Sequence, residues 1–289
     1  MTGGRTGLPS WLNPVWLVVA SILSVQLGAA FAKGLFTAVA PTAIAWLRML
    51  VASIIFLVVA RPRFGGRGWP EWRVALGYGT ALGLMNWSIY QSFARIPIGL
   101  AVTIEFLGPL SLAVLGSRKL KDLLWVVLAG LGVVLLGVAP VTIDWVGVGF
   151  ALLAGAGWAG YIVLSGPTGR VWSGITGVTV GSLVGAAMFA VPGLVAGGSG
   201  LWQPWVLAVG LAVGVLSSVI PYGLEMVALR TIPPGIFGIL MSLEPAVAAL
   251  SALVVLGETL SLVEIAAMAC VVVASVGATR GLGTSVAEA

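Results

Sequence analysis

Five charged side chains interrupt apolar stretches of the sequence: Lys33, Arg48, Glu105, Glu225 and Glu244. An ionisable group inside such a stretch is expensive, so each of the five is a functional candidate by default. The two basic side chains are suited to binding a substrate carboxylate. The three acidic side chains are suited to binding a substrate ammonium or to exchanging protons.

Lys33, Arg48 and Glu105 are expected to lie at similar depth. Counted from the ends of their predicted helices, all three fall roughly 6–10 Å below the outer boundary of a membrane. If they share one cavity, the spare positive charge would suit a substrate carboxylate. Two simpler explanations stay open: Lys33 extends to the membrane interface, or Arg48 forms a purely structural ion pair with Glu105.

Glu244 and Glu225 belong to the second half of the chain, where the predicted helices contain no basic residue. Glu244 is expected roughly 13 Å from the inner boundary. Burial without a cationic partner favours a neutral carboxyl group that exchanges protons readily. We therefore expect Glu244, and less strongly Glu225, to couple transport to protons. Alternatively, Glu244 braces the backbone near Pro245, and Glu225 lies at the lipid headgroups with Arg230.

Uncharged side chains extend this set of candidates. Asn86 and Tyr90 are four residues apart on one helical face and are placed to bind a small polar solute. Trp158 and Tyr161, three residues apart, share a face of another helix. Ordinary hydrogen bonding between helices is the alternative. Interior prolines free backbone carbonyls and permit the bending that a gate needs; they are Pro109, Pro221 and Pro245.

The composition excludes a water-soluble protein. Hydrophobic residues make up 60% and charged residues 8% of the 289 residues, whereas a soluble domain has roughly 25% charged residues. The apolar runs are continuous rather than alternating, which predicts an all-α integral membrane protein and not a barrel. The chain has no histidine and one cysteine, Cys270. We therefore expect no enzyme, no metal site and no cofactor.

Breaks at proline, glycine and charge clusters divide the chain into ten predicted spans of the length that a membrane helix needs. They cover residues 15–37, 41–60, 74–94, 98–117, 123–139, 147–165, 174–194, 205–228, 235–256 and 261–279. Residues 15–139 form a first repeat of five helices and residues 147–280 a second. Residues 1–14 and 281–289 are predicted to be cytoplasmic tails.

Basic residues in the loops predict the orientation, because cytoplasmic loops carry an excess of lysine and arginine. With the N-terminus inside, only Arg95 falls on the outer side. The cytoplasmic side then carries Arg5, Arg61, Arg63, Arg67, Arg73, Arg118, Lys119, Lys121, Arg170, Arg230 and Arg280. This asymmetry explains the net charge of +5 without nucleic acid as a partner.

A sequence echo indicates that the two halves are related. Ile96, Pro97 and Gly99 recur 136 positions later as Ile232, Pro233 and Gly235, and Pro109 recurs as Pro245. Five helices in each half force the second half to enter the membrane from the opposite side. The prediction is therefore an inverted repeat, which is frequent among secondary transporters. The two carboxylates are not copies, since Glu105 aligns with Met241 and Glu244 with Gly108.

At these residues the chain closely resembles the bacterial threonine and homoserine exporters of the drug/metabolite transporter superfamily, which have two EamA-type five-helix repeats. The matching stretches include residues 29–36, 85–90, 98–109, 157–165, 221–226 and 237–259. The resemblance implies a ten-helix protein of the inner membrane that works by alternating access. It also implies outward movement of small amino acids driven by the proton gradient.

The sequence thus predicts an inner-membrane exporter of threonine-like amino acids that acts by proton antiport. The alternative substrates are an aromatic amino acid, a drug-like compound or another metabolite. An intramembrane enzyme lacks a catalytic constellation, and a channel lacks rings of like charge. The expected partners are a small amino acid, protons and the lipid bilayer. The sequence does not set the oligomeric state and is compatible with a monomer.

Overall fold

The computed structural model describes residues 13–115, 123–136, 144–172, 174–229 and 231–286. All regular structure in these residues is helical. The helices are α1 (Pro14–Gly34), α2 (Pro41–Ala60), α3 (Trp69–Phe93), α4 (Ile98–Glu105), α5 (Leu107–Leu115), α6 (Leu123–Leu136), α7 (Trp145–Val171), α8 (Ile175–Met188), α9 (Ala190–Gly197), α10 (Pro204–Gly214), α11 (Ile220–Ala228), α12 (Pro234–Met241), α13 (Glu244–Leu256) and α14 (Leu262–Val286). A π-helical turn, Val215–Val219, joins α10 to α11.

Polar caps and prolines fix where the helices begin. The Asn13 side chain accepts a hydrogen bond from the amide of Val15 at 3.0 Å and caps α1. The Asp144 carboxylate does the same for α7, accepting from Val146 at 2.8 Å. Proline occupies the first turn of α1, α2, α3 and α10, where its missing N–H costs nothing. These caps satisfy backbone donors that the apolar runs alone leave unpaired.

Within the described residues, each predicted span overlaps a helix or consecutive helices separated by short interruptions, and the all-α class is confirmed. Among the described residues, six helical segments are long and apolar enough to cross a membrane, or seven if α8 and α9, bent by 51°, count as one. Helix α3 begins five residues before the predicted start at 74, and α7 continues to Val171 rather than ending at 165. Helix α14 enters the segment predicted as a tail and ends at Val286. Ten membrane crossings remain a prediction.

Close contacts between small residues hold the bundle together. Helix α3 packs on α7 and α8, α1 packs on α11 and α13, and α14 packs on α6. A methyl group at Gly83 of α3 would lie 2.9 Å from the Cα of Gly185 in α8. A methyl group at Gly99 would lie 2.7 Å from the Cβ of Ala249. Membrane helices approach each other closely only where such residues face a neighbour.

Several residues of the orientation prediction lie outside the described residues, namely Arg5, Arg118, Lys119, Lys121 and Arg230. The same holds for most of the predicted N-terminal tail, since the description begins at Asn13.

Candidate functional site

A cavity of about 700 Å³ occupies the interior of the bundle. It receives side chains from both halves of the chain, including Arg48 of α2, Asn86 of α3, Glu105 of α4 and Glu244 of α13. Its volume lies within the roughly 300–1,000 Å³ typical of sites for small molecules. The wall is mostly apolar with a few convergent polar groups, which is the usual character of such a site.

The cavity is displaced towards one end of the bundle. In α4 and α5 its lining residues start at Val102 and continue to Ala113, so the N-terminal turn of α4 takes no part. At the far side the wall reaches Ser165 of α7 and Leu229 after α11, both of which are exposed. The opposite end, where α4 begins, is therefore the closed end.

Arg48 and Glu105 both line the cavity, and both are buried. The guanidinium of Arg48 donates to the carbonyl of Ser217 at 2.7 Å and to the hydroxyl of Ser218 at 3.1 Å. It forms no ion pair with Glu105, since the ion pairs among the described residues are Lys33–Glu258 and Arg67–Glu71. The structural Arg48–Glu105 pair considered above is thus not formed. Both charged groups remain available to a ligand.

Lys33 lies apart from these two residues, contrary to the prediction of one shared cavity. Its ammonium is 2.5 Å from the carboxylate of Glu258 and donates to the carbonyl of Ile96 at 3.0 Å. The same carboxylate accepts from the amide of Ile98 at 3.0 Å. We call this set, formed by Lys33, Glu258, Ile96 and Ile98, the latch. It joins the end of α1, the start of α4 and the segment after α13.

Asn86 and Tyr90 share a face of α3, but only Asn86 lines the cavity. The Asn86 amide faces the cavity and donates to the carbonyl of Leu82 at 2.8 Å, which leaves its oxygen as an acceptor. Tyr90 is fully buried, and its ring centroid lies 5.6 Å from the guanidinium carbon of Arg48. Tyr90 therefore supports Arg48 from behind rather than lining the wall.

Glu244 and Glu225 both line the cavity. The hydroxyl of Ser21 in α1 donates to the Glu225 carboxylate at 2.6 Å. Glu244 is buried at the first position of α13 and forms no ion pair in the part of the chain that the structure describes. Arg48 is the one basic residue among the side chains that line the described wall. Three carboxyl groups and one guanidinium thus share the cavity.

The three prolines predicted above to permit bending each accompany a helix irregularity. Pro109 and Pro245 follow the interruptions at Phe106 and at Ser242–Leu243, which lie at equivalent positions of the two repeats. A proline has no N–H, so the carbonyl four residues earlier loses its helical partner. Those carbonyls belong to Glu105 and Met241, both on the cavity wall. Pro109 and Pro221 line the cavity themselves, whereas Pro245 is buried beside Glu244.

Aromatic side chains form much of the remaining wall. Trp158 packs edge-to-face on Phe106 with ring centroids 5.3 Å apart, and Tyr161 packs on Tyr78 at 5.0 Å. Sequence reasoning missed Tyr222 and Gln26, which also line the cavity. Tyr222 lies three residues before Glu225 and so on the same face, a signal that was available. Gln26 is an uncharged polar residue in the middle of an apolar helix, which is a weaker signal.

Comparison with known proteins adds the following findings. Residues 145–280 match the EamA-like transporter family. The threonine/homoserine exporter RhtA of Salmonella typhimurium (strain SL1344) is 42% identical over 286 residues, covering 96% of this chain and 95% of that protein. RhtA of Escherichia coli (strain K12) is 40% identical over the same shares. A solved crystal structure with 21% identity and a TM-score of 0.63 covers 93% of this chain and 97% of that one, which shows a common fold.

Proposed function

The chain belongs to the EamA-like transporter family, and we propose that it exports threonine and homoserine, or close relatives, across the bacterial inner membrane. The observation that carries this proposal is the cavity in which Arg48 and Glu105 are both present without pairing to each other. An amino acid is a zwitterion, and this pair of charges is complementary to it. The relatives named above are exporters of two small amino acids that each carry one hydroxyl group.

In the proposed complex, Arg48 binds the carboxylate of the substrate and Glu105 binds its ammonium. Planar guanidinium groups are well matched to carboxylates. Glu105 lies on the same cavity wall as Arg48, and its carboxylate is opposite in charge to an ammonium group. The Asn86 oxygen accepts a hydrogen bond from the substrate hydroxyl. Trp158 and Tyr161 cover the apolar atoms of the substrate. Lys33 has no part in this site because it contacts Glu258 and Ile96 in the latch.

Proton coupling is assigned to Glu244, with Glu225 as a second carboxyl group on the same wall. A carboxylate in an apolar bundle is costly unless it is paired, so a cavity with three carboxyl groups and one guanidinium favours taking up protons. Glu105 is assigned to the substrate ammonium, and Glu225 accepts a hydrogen bond from Ser21. Glu244, which lies on the wall and forms no ion pair among the described residues, is therefore the first candidate to exchange protons. Proton binding from outside and release inside would then drive the amino acid outward.

Contacts between helices support the inverted repeat. If the first predicted span is made equivalent to the sixth, the second to the seventh and so on, the major contacts between helices map onto each other. The packing of α3 on α7 corresponds to that of α11 on α1, and α3 on α8 corresponds to α10 on α2. The pairs α6–α14 and α4–α13 map onto themselves. We therefore propose ten spans in two inverted repeats, covering residues 15–139 and 147–280, with both termini in the cytoplasm.

With this orientation the open end of the cavity faces the cytoplasm. The latch then closes the opposite, outer end. Alternating access then requires the latch to open while the inner end closes, as in transporters whose two repeats rock around a central site. The interruptions at Pro109, Pro221 and Pro245 place bendable points beside the cavity in three helices.

Purified protein in liposomes tests the proposed substrate. Vesicles that contain the protein and are loaded with labelled threonine or homoserine should release either one in a saturable manner. Protein-free liposomes loaded in the same way should not. Labelled phenylalanine and a cationic dye serve as comparison solutes, because they represent the alternative substrates. Preferential release of one of these, with no saturable release of threonine or homoserine, would contradict the proposed substrate class.

A further inference from the structure

Pro221 removes one backbone donor next to the π-helical turn Val215–Val219. Pro221 carries no N–H, so it cannot donate to the carbonyls that precede it by four residues in an α-helix or by five in a π-helix. These carbonyls belong to Ser217 and Leu216, within the π-helical turn Val215–Val219. Arg48 donates to the first at 2.7 Å, and the hydroxyl of Ser24 donates to the second at 2.6 Å. Side chains of α2 and α1 thus donate to the two carbonyls that the missing N–H of Pro221 could have served.

The π-helical turn holds the guanidinium of Arg48 from two sides. In addition to the bond to the Ser217 carbonyl, the Nε–H of Arg48 donates to the hydroxyl of Ser218 at 3.1 Å. The ring of Tyr90 lies 5.6 Å from the guanidinium carbon. All three supporting residues are buried. Arg48 is thus held by neutral groups, and it forms no ion pair with a carboxylate among the described residues.

Gly28 of α1 allows this arrangement. A methyl group at Gly28 would lie 2.1 Å from the hydroxyl of Ser217 and 3.1 Å from the Cβ of Leu216. The π-helical turn is thus pressed against α1 on one side, where Ser24 also bonds to it, and bonds Arg48 of α2 on the other. π-helical turns occur often at functional sites, because they redirect groups that a regular helix would bury in its own hydrogen bonds.

We propose that Ser218 and Pro221 are positioning residues. They orient Arg48 so that its remaining N–H groups select solutes that carry an α-carboxylate. The inference rests on the proposed function, since it assigns a specificity role to the same cavity. It predicts that the transporter distinguishes threonine from threoninol, the amino alcohol in which a neutral CH₂OH group replaces the carboxylate.

The test compares both compounds in liposomes containing wild type, Ser218→Ala or Pro221→Ala. The half-saturation concentration for threonine and the concentration of threoninol that half-inhibits threonine transport are measured. Loss of one hydrogen bond to a charged group should raise the threonine value by about tenfold, with little change in the maximal rate. The threoninol value should change less than about twofold, because Arg48 has no carboxylate to bind there. Ser218→Thr keeps the hydroxyl and should behave as wild type.

Pro167→Ala is the matched control, because Pro167 is an exposed interior proline of α7 outside the cavity wall. It should leave both values unchanged. A parallel rise of the threonine and threoninol values in Ser218→Ala would overturn the proposal, since a merely structural role acts on both compounds. Unchanged values in both Ser218→Ala and Pro221→Ala would also overturn it. Failure of the wild type to transport threonine would instead reject the proposed function itself.

Discussion

Neutralising Glu258 should open the end of the transporter that the proposed orientation places outside. The carboxylate makes two contacts there, an ion pair with Lys33 at 2.5 Å and a hydrogen bond from the amide of Ile98 at 3.0 Å. Both charged side chains are about one-fifth exposed, at 21% and 19%, so water screens the pair only in part. Glu258→Gln retains the size of the side chain and an oxygen for Ile98, and removes the negative charge that faces Lys33.

The expected size of the effect follows from these contacts. A hydrogen bond to a charged group contributes about 1.5–3 kcal/mol, and each 1.4 kcal/mol changes an equilibrium about tenfold. In the proposed mechanism, the latch is formed while the outer end is closed and is broken when that end opens. Glu258→Gln should therefore raise the ratio of outward-open to inward-open protein by about 10- to 150-fold. Lys33→Met should act in the same direction, and the double variant should add little, because both residues belong to one contact.

Cysteine labelling measures this ratio. Cys270, the only native cysteine, is replaced by serine, and Ile89 on the cavity wall is replaced by cysteine as the reporter. A membrane-impermeant thiol reagent is added to the outer face of intact spheroplasts, and the labelling rate is followed. The rate should rise in Glu258→Gln and stay at the wild-type level in Glu71→Gln, which alters the Arg67–Glu71 pair instead. An unchanged rate in Glu258→Gln, at normal membrane levels of the protein, would refute the latch.

Three further predictions concern the cavity and its packing. Arg48→Gln should raise the half-saturation concentration for threonine by about 10- to 150-fold while the protein still folds, measured as saturable efflux from liposomes; normal affinity would remove Arg48 from the carboxylate site. Glu225→Gln should keep at least about half of the response of threonine efflux to a pH gradient, because Glu244 remains; complete loss would shift the coupling role to Glu225. Gly28→Ala should destabilise the protein by about 1–3 kcal/mol through its clash with Ser217, measured as a lower thermal transition in detergent, whereas Gly130→Ala, with no atom within 4 Å of the added methyl group, should not.

The sequence is most informative about the positions of the helices and least informative about which side chains contact each other. Continuous apolar runs bounded by proline and glycine place the helices, because a membrane helix satisfies its own backbone. Glu105 and Glu244 were identifiable because charge in such a run is rare. The partner of Lys33 was not identifiable, since Glu258 lies 225 positions away and depth alone suggested Arg48 and Glu105 instead. Pro221 predicted a freed carbonyl, but only the structure shows that Arg48 occupies it.

The bend between α8 and α9 illustrates the same limit. The run 174–194 reads as one uniform apolar span, yet α8 ends at Met188 and α9 continues at an angle of 51°. The nearest proline, Pro192, lies three residues after the break at Phe189. Pro109 lies three residues after the interruption at Phe106 in the same way. Pro109 and Pro192 thus follow their helix interruptions at the same spacing, whereas Pro167 lies inside the unbroken α7. A proline in an apolar run therefore does not by itself predict whether or by how much the helix bends.

The most direct test of the central claim is threonine efflux from liposomes under a pH gradient, in wild type and in Glu244→Gln. Acidifying the side that receives threonine should accelerate efflux in the wild type, because protons then move down their gradient as the amino acid leaves. Glu244→Gln should still exchange threonine for threonine but lose this acceleration. Efflux that ignores the pH gradient in the wild type, or the same acceleration in Glu244→Gln, would contradict proton-coupled export through this cavity.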